Sequence, residues 1–206
     1  MKHRTSSASV RVLACVTGLL ICATTARADA LHKYFKEDTY WHHGSGWLYP
    51  RHVGDFTLDG SPTQVDGNDD LSAIYKQDAN DMHRLAIVDL YYPQSASKWA
   101  QLSSARAGVM VEAQNDECTV ESKADEKTFV LENYPQISGV KVTFVSLKAG
   151  CDQRALYFFR APNWIVSVRT TSMAVDLEAV KIIDSFVRAL RWDSLDTDPN
   201  LRETIK

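Results

Sequence analysis

The first thirty residues constrain the fold most, because their pattern predicts that they are removed before the chain folds. Basic residues open the chain, an apolar run covers residues 12–23, and Ala28-Asp29-Ala30 supplies the small residues that a signal peptidase needs. This order is typical of a secretory signal peptide. The apolar run is shorter than the roughly 20 residues that span a bilayer. The sequence therefore predicts an exported protein, either periplasmic or secreted.

Cleavage is expected after Ala30, or after Ala28, where Ala26-Arg27-Ala28 also fits the pattern. A cut after Ala30 leaves 176 of the 206 residues, which is the size of one domain. The leader contains four Lys or Arg residues and one Asp, so its removal changes the net charge from −3 to about −6. An acidic chain of this kind argues against a nucleic-acid or anionic-membrane partner. The short apolar run also argues against stable membrane insertion.

The cysteines predict one disulfide bond. Cys15 and Cys22 lie in the leader and neither is in a convincing lipid-attachment motif, so Cys118 and Cys151 remain. An even pair in an exported chain is most simply a disulfide. A redox-active pair is the alternative, but the Cys-x-x-Cys spacing of such pairs is missing.

Strands and two helices are predicted after residue 52. Residues 85–92 are apolar on both faces except at Asp89, which is typical of a central strand. Helices are predicted over 96–113, capped by Ser95 or Ser97, and over 176–192, from apolar positions at helical spacing. Arg106 interrupts the first apolar stripe, either as a snorkelling side chain or as the partner of a carboxylate such as Asp89. The predicted strands are 53–58, 71–76, 85–92, 128–131, 140–147, 155–160 and 164–171.

This order of elements predicts an α+β domain over residues 53–192, with a single antiparallel sheet of about six to seven strands packed by two main helices. Residues 31–52 are rich in aromatic residues and His and are predicted to be an N-terminal arm. Residues 193–206 are predicted to be a polar C-terminal tail.

Four segments resemble the PsbP-like superfamily of small exported α+β proteins, which includes DcrB-like envelope proteins. They read HRLAIVDLYYP before the first helix, then GVKVTFVSLKAG, RALYFFRAPNWIVSVRTT and a closing LEAVKIIDSFVRALRW. The resemblance covers roughly residues 53–192 and rests on element order and hydrophobic pattern. It implies a PsbP-like fold and a binding or accessory role, and it transfers no site residue.

The N-terminal arm supplies the candidate binding residues. Trp and Tyr dominate the energetics of protein interfaces, so a recognition surface is one interpretation of this aromatic segment. The other is that its tryptophans dock on the domain while its histidines face solvent. The adjacent histidines could also ligate a transition metal, although no His-x-His or His-x-x-x-His pair supports this. The candidates are Trp41, His42, His43, Trp47 and Tyr49, with His42 and His43 as the possible metal ligands.

The sequence contains no phosphate-binding loop, dinucleotide fingerprint, zinc-ligand spacing or nucleophile elbow, and it implies no cofactor. We therefore expect a non-enzymatic binding or accessory protein that acts through protein–protein contact. In one version, the protein is an accessory component of an envelope complex. In the other, it is the immunity protein or chaperone of a secreted effector. The alternative is a metal- or small-ligand-binding periplasmic protein that uses the His-rich arm.

Overall fold

The computed structural model describes residues 31–34, 38–65, 70–79, 82–93, 97–122, 126–161, 163–173 and 177–195. The predicted signal peptide, residues 1–30, and residues 196–206 of the predicted tail lie outside the described part.

The described residues form thirteen β-strands, two α-helices and one 3₁₀ turn at Trp192–Ser194. The helices are α1 (Lys98–Asn115) and α2 (Leu177–Ala189). The strands are β1 (Leu31–Tyr34), β2 (Thr39–His42), β3 (Leu48–Pro50), β4 (His52–Val53), β5 (Phe56–Leu58), β6 (Thr63–Gln64), β7 (Leu71–Ala79), β8 (Met82–Tyr91), β9 (Val120–Ser122), β10 (Lys127–Phe129), β11 (Ser138–Ser146), β12 (Gln153–Arg160) and β13 (Ile165–Ser172).

The strands form two antiparallel sheets. The larger has ten strands in the order β10-β11-β12-β13-β8-β7-β5-β4, with β6 also paired to β7 and β9 also paired to β11. The smaller is β1-β2-β3. The long strands β7, β8, β11, β12 and β13 are connected mainly as hairpins, and β8 is hydrogen-bonded between β7 and β13.

The predicted fold class is therefore wrong. A single sheet of six to seven strands packed by two helices was expected, whereas the described residues are mostly β and make two sheets. The missed strands lie mainly in 31–64 and 120–122, and most have only two to four residues. Such short strands contain too few residues to show the two-residue periodicity by which a strand is recognised.

Both faces of the large sheet are covered by helix, but over different areas. On one face, α2 buries Ala179, Ile183, Phe186 and Val187. Ile183, Phe186 and Val187 belong to a large apolar cluster with side chains from β5, β7, β8, β12 and β13. On the other face, α1 buries Leu102, Val109 and Ala113, in a smaller cluster with residues of β9, β11, β12 and β13.

The predicted helices and disulfide are confirmed. The side chain of Ser97 caps α1 by accepting a hydrogen bond from the backbone N–H of Ala100, at 3.3 Å. Cys118 and Cys151 are joined by a disulfide, with their Cα atoms 6.0 Å apart. Within the described ranges, neither helix combines the length and the apolar character required to cross a membrane.

The residues predicted to form an arm pack on the large apolar cluster through Trp47. Its ring centroid lies 5.2 Å from that of Trp192, and the Trp192 ring lies 4.5 Å from that of Phe159 on β12. The Trp192 indole N–H donates to the Val187 carbonyl at 2.8 Å, which fixes this ring against the end of α2. The segment that contains Trp47 is thus part of the core.

One backbone position on β11 is crowded by the same cluster. A Cβ atom at Gly139 would lie 2.5 Å from the ring of Phe159 and 2.6 Å from the carbonyl oxygen of Phe129. Both separations are shorter than van der Waals contact, so only glycine allows β11 to lie this close to Phe159.

We predict that Trp47→Ala lowers the free energy of unfolding by about 3–5 kcal/mol, because it removes a fully buried indole. Trp99→Ala is the matched control, since Trp99 is 65% exposed on α1 and its loss should cost less than about 0.5 kcal/mol. Urea unfolding measures both values. Equal losses for the two variants would contradict this account of the core.

Candidate functional site

The described part of the structure has a groove where α1 leaves part of one sheet face uncovered. Helix α1 lies over the β11 and β12 side, whereas β7 and β8 present their residues of this face to the groove. Ile74 on β7 is 38% exposed there, and Leu85 and Ile87 on β8 are half-buried. The groove therefore has the sheet as its floor and α1 as one wall.

The strand register places a row of polar side chains across the floor. Ser72 on β7 is directly opposite Asp89 on β8, and Asp89 is directly opposite Ser167 on β13. The next row on the same face is Ile74, Ile87 and Arg169. Because side chains alternate between faces along a strand, both rows point towards α1.

Asp89 is the centre of a hydrogen-bond network on this floor. Its carboxylate accepts from the hydroxyls of Ser72 at 2.8 Å and Ser167 at 3.1 Å. It also accepts from Arg169, at 3.0 Å from Nε and 3.2 Å from Nη2. The carboxylate is thus held by hydrogen bonds from both neighbouring strands.

Arg169 connects this network to the helix. Its Nη1 donates to the carboxylate of Glu112 on α1, so one guanidinium serves two carboxylates. All three side chains are partly buried, where an ion pair is screened less than at the surface. The Asp89–Arg169–Glu112 cluster therefore fixes the separation between α1 and the floor, and it has a net charge of −1.

The cluster lies between two neighbouring cavities, and Arg169 lines both. One cavity, of about 520 Å³, lies beside the first half of α1, with Tyr91, Tyr92 and Asp70 in its walls. The other, of about 720 Å³, lies beside the end of α1 and is lined by Leu85, among others. Together they follow β8 from Leu85 to Tyr91.

Small side chains on α1 leave the first cavity open. Ala100, Ser104, Ala105 and Gly108 line it from the helix, together with one larger residue, Gln101. A Cβ atom added at Gly108 would meet nothing within 4 Å. The width of this cavity is thus set by residue size on α1.

Burial raises the pKa of the Tyr91 phenol, and the negative charge of Asp89 raises it further. Tyr91 therefore stays protonated in any physiological range and can donate a hydrogen bond. Across the described lining of both cavities there are six carboxylates and four Lys or Arg side chains, besides His83. The groove is thus acidic, like the chain as a whole.

The structure does not bring the predicted binding residues together on one surface. Trp47 and Tyr49 are fully buried, and burial raises the Tyr49 pKa well above its ordinary value. His42 is also buried: its Nδ1 lies 2.7 Å from the hydroxyl of Ser45, and its ring meets Trp164 edge-on. These three side chains contribute to the packing of the N-terminal segment.

Trp41 and His43 lie nearer the surface. Trp41 is half-buried and His43 is exposed, with their ring centroids 5.1 Å apart. Among the described residues, no group of three His, Cys, Asp or Glu side chains is placed to hold a metal ion. The two possible metal ligands thus differ in exposure, because His42 is buried and His43 is exposed.

Sequence reasoning did not identify the groove, although one signal was present. Asp89 was the exception in an otherwise apolar strand, and a carboxylate in such a place needs a partner. Arg106 was one candidate for that partner, but it pairs with Glu126, and the partner of Asp89 is Arg169. Pairing of β8 with β13 brings them together across 80 residues of sequence.

Comparisons with protein-family models, with curated proteins and with solved structures found no match to this chain. The resemblance to the PsbP-like superfamily thus stays a prediction.

We predict that Asp89→Asn lowers the free energy of unfolding by about 1.5–3 kcal/mol, because it weakens hydrogen bonds to a partly buried charge. Asp78→Asn is the matched control: Asp78 pairs with His83 at an exposed position on the same sheet. That pair should contribute less than about 1 kcal/mol. Thermal and urea unfolding of both variants measure the difference, and a smaller loss for Asp89→Asn than for Asp78→Asn would contradict a central role for Asp89.

Proposed function

We propose that the protein is an exported, non-enzymatic binding protein that acts through protein–protein contact, and that its groove holds a segment of the partner. The observation that carries this proposal is the uncovered part of the sheet face between α1 and β7. Apolar floor residues are accessible there beside a fixed polar cluster. This combination of apolar contact area and a few oriented polar groups is typical of a binding site.

The shape of the groove favours a chain segment over a compact ligand. Its floor follows β8 from Leu85 to Tyr91, which corresponds to about 20 Å at about 3.3 Å per residue. A compact small molecule would fill one cavity and leave the other empty. An extended segment of about six residues would contact both cavities and pass the Asp89–Arg169–Glu112 cluster between them.

Charge suggests the composition of that segment. The central cluster has a net charge of −1, and carboxylates outnumber Lys and Arg in the lining. Ile74, Leu85 and Ile87 offer apolar contacts on the floor. We expect a segment that combines aliphatic side chains with at least one Lys or Arg, since complementary charge gives both specificity and faster association.

The arrangement of Asp89 supports binding more than catalysis. Its oxygens accept four hydrogen bonds from Ser72, Ser167 and Arg169. These four bonds use the roughly four acceptor sites of a carboxylate, so its oxygens are already engaged by the protein itself. This network supports a role in positioning, which agrees with a partner-binding function in an envelope complex or towards a secreted effector.

Export forms the second part of the proposal. It is supported by the leader pattern of residues 1–30 and by the Cys118–Cys151 disulfide, since such bonds persist in oxidising compartments. We predict that the native protein begins at Leu31, or at Asp29 if cleavage follows Ala28. N-terminal sequencing of protein purified from its own cell measures this. A native chain that begins at Met1 would contradict export by this route.

The groove is tested by filling it. Gly108→Leu places a side chain into the open cavity, while Ala107→Leu adds the same side chain on the exposed side of α1. Peptides selected from a displayed random library should be rich in aliphatic residues with Lys or Arg. We predict that Gly108→Leu weakens their binding by about tenfold or more, equivalent to about 1.4 kcal/mol, and that Ala107→Leu leaves it unchanged.

Three other results would contradict the groove as the peptide-binding site. Equal binding by wild type and Gly108→Leu would place the site elsewhere and overturn the proposal. Failure to select any peptide, with a small molecule binding instead, would favour the small-ligand alternative. The variant Trp41→Ala tests the predicted N-terminal binding surface. If Trp41→Ala loses peptide binding and Gly108→Leu does not, the N-terminal segment is favoured as the binding site.

A further inference from the structure

The apolar contact between α1 and the sheet is sparse. The buried side chains of this 18-residue helix are Leu102, Val109 and Ala113, whereas Val111 on its outer side is 54% exposed. The 13-residue helix α2, by comparison, buries four side chains. Apolar burial therefore holds α1 less firmly than α2.

Polar contacts and a disulfide compensate for this sparse apolar burial, and they lie near the C-terminal end of α1. Glu112 pairs with Arg169, and Asp116 pairs with the buried Arg154 of β12. The backbone N–H of Cys118 donates to the carbonyl of Ala113 at 2.8 Å, so this cysteine is attached directly to the last turn. The disulfide then joins Cys118 to Cys151, two residues before β12 begins.

The two sulfur atoms differ in accessibility. Cys118 is 9% exposed and belongs to the apolar cluster under α1. Cys151 is half-buried and lines a separate surface cavity of about 290 Å³, together with Lys148 and Gly150. An attacking thiolate can therefore reach Cys151 more easily than Cys118.

We propose that the Cys118–Cys151 disulfide is a redox latch that holds α1 over the groove and that a dithiol, small or protein-borne, opens it by attack on Cys151. This role differs from that of a catalytic Cys-x-x-Cys pair, because the disulfide controls the position of a helix. Helix α1 is the wall of both cavities, so release of its last turn would alter the groove. The effect on partner binding rests on the proposed function, whereas the effect on α1 does not.

The exchange is balanced as a transfer of two electrons and two protons. A thiolate of the dithiol bonds to the sulfur of Cys151, the bond between the two cysteines breaks, and its electron pair leaves with Cys118, which takes up a proton. The second thiolate of the dithiol then closes the disulfide of the reagent and releases Cys151, which is also protonated. The dithiol is oxidised and the protein disulfide is reduced.

Amide hydrogen exchange on the full exported chain tests the latch, with dithiothreitol as the reductant. After both thiols are shown to be free, we expect exchange in α1 to accelerate by about tenfold or more, while α2 and β8 change by less than about twofold. Unchanged exchange in α1 would overturn the latch. Equal acceleration throughout the chain would also overturn it, since the disulfide would then stabilise the whole fold.

Single-cysteine variants test the point of attack. With Cys118→Ala, the remaining Cys151 should react with a disulfide reagent such as dithionitrobenzoate at least about tenfold faster than the Cys118 that remains in Cys151→Ala. Equal rates, or faster reaction at Cys118, would overturn attack at Cys151. Binding of the selected peptides before and after reduction then separates the two proposals: a mobile α1 with unchanged binding supports the latch and contradicts the groove as the binding site.

Discussion

The contact of Arg169 with two carboxylates, Asp89 on β8 and Glu112 on α1, decides how the helix lies over the sheet. Asp89 is held from β7 and β13 through Ser72 and Ser167, so one end of this contact is fixed by the strand register. The other end is a helix with few buried side chains. A partly buried guanidinium between two acids costs desolvation energy, and such a cost is offset only when hydrogen bonds satisfy the charges, as they do here.

The two faces of the sheet thus have different physical roles. Beneath α2, apolar burial is continuous and includes the aromatic contacts of Trp47, Trp192 and Phe159. Tyr157 on that face donates to Asp184 of α2 at 2.5 Å, and Lys141 donates to the same carboxylate at 2.6 Å, so polar contacts also attach α2 firmly. Beneath α1, the apolar cluster covers only part of the face. A stable face combined with a partly covered one would suit the proposed binding function, because the α1 side can adjust without loss of the core.

The sequence supported some of this structure and missed the rest for identifiable reasons. Both helices, the cap at Ser97 and the disulfide followed from local signals: helical spacing, a capping residue and an even number of cysteines. The small sheet was missed because β2 and β3 are too short to show a period. The groove was missed because it depends on pairing between distant strands. Asp89 signalled a buried polar partner, but no local pattern connects it to Arg169.

Gly139 shows how far the influence of one missing side chain extends. A methyl group there would have to displace the ring of Phe159 or separate β11 from β10, because the Phe159 ring and the Phe129 carbonyl already lie against the Gly139 backbone. Phe159 touches Trp192, and Trp192 meets Trp47 edge-on, so a shift near one edge of the large sheet would pass through these three rings to the residue just before β3. Tolerance to mutation should therefore be lowest along this line of contacts, and homologues that replace this glycine would need a smaller ring or an aliphatic residue at the position of Phe159.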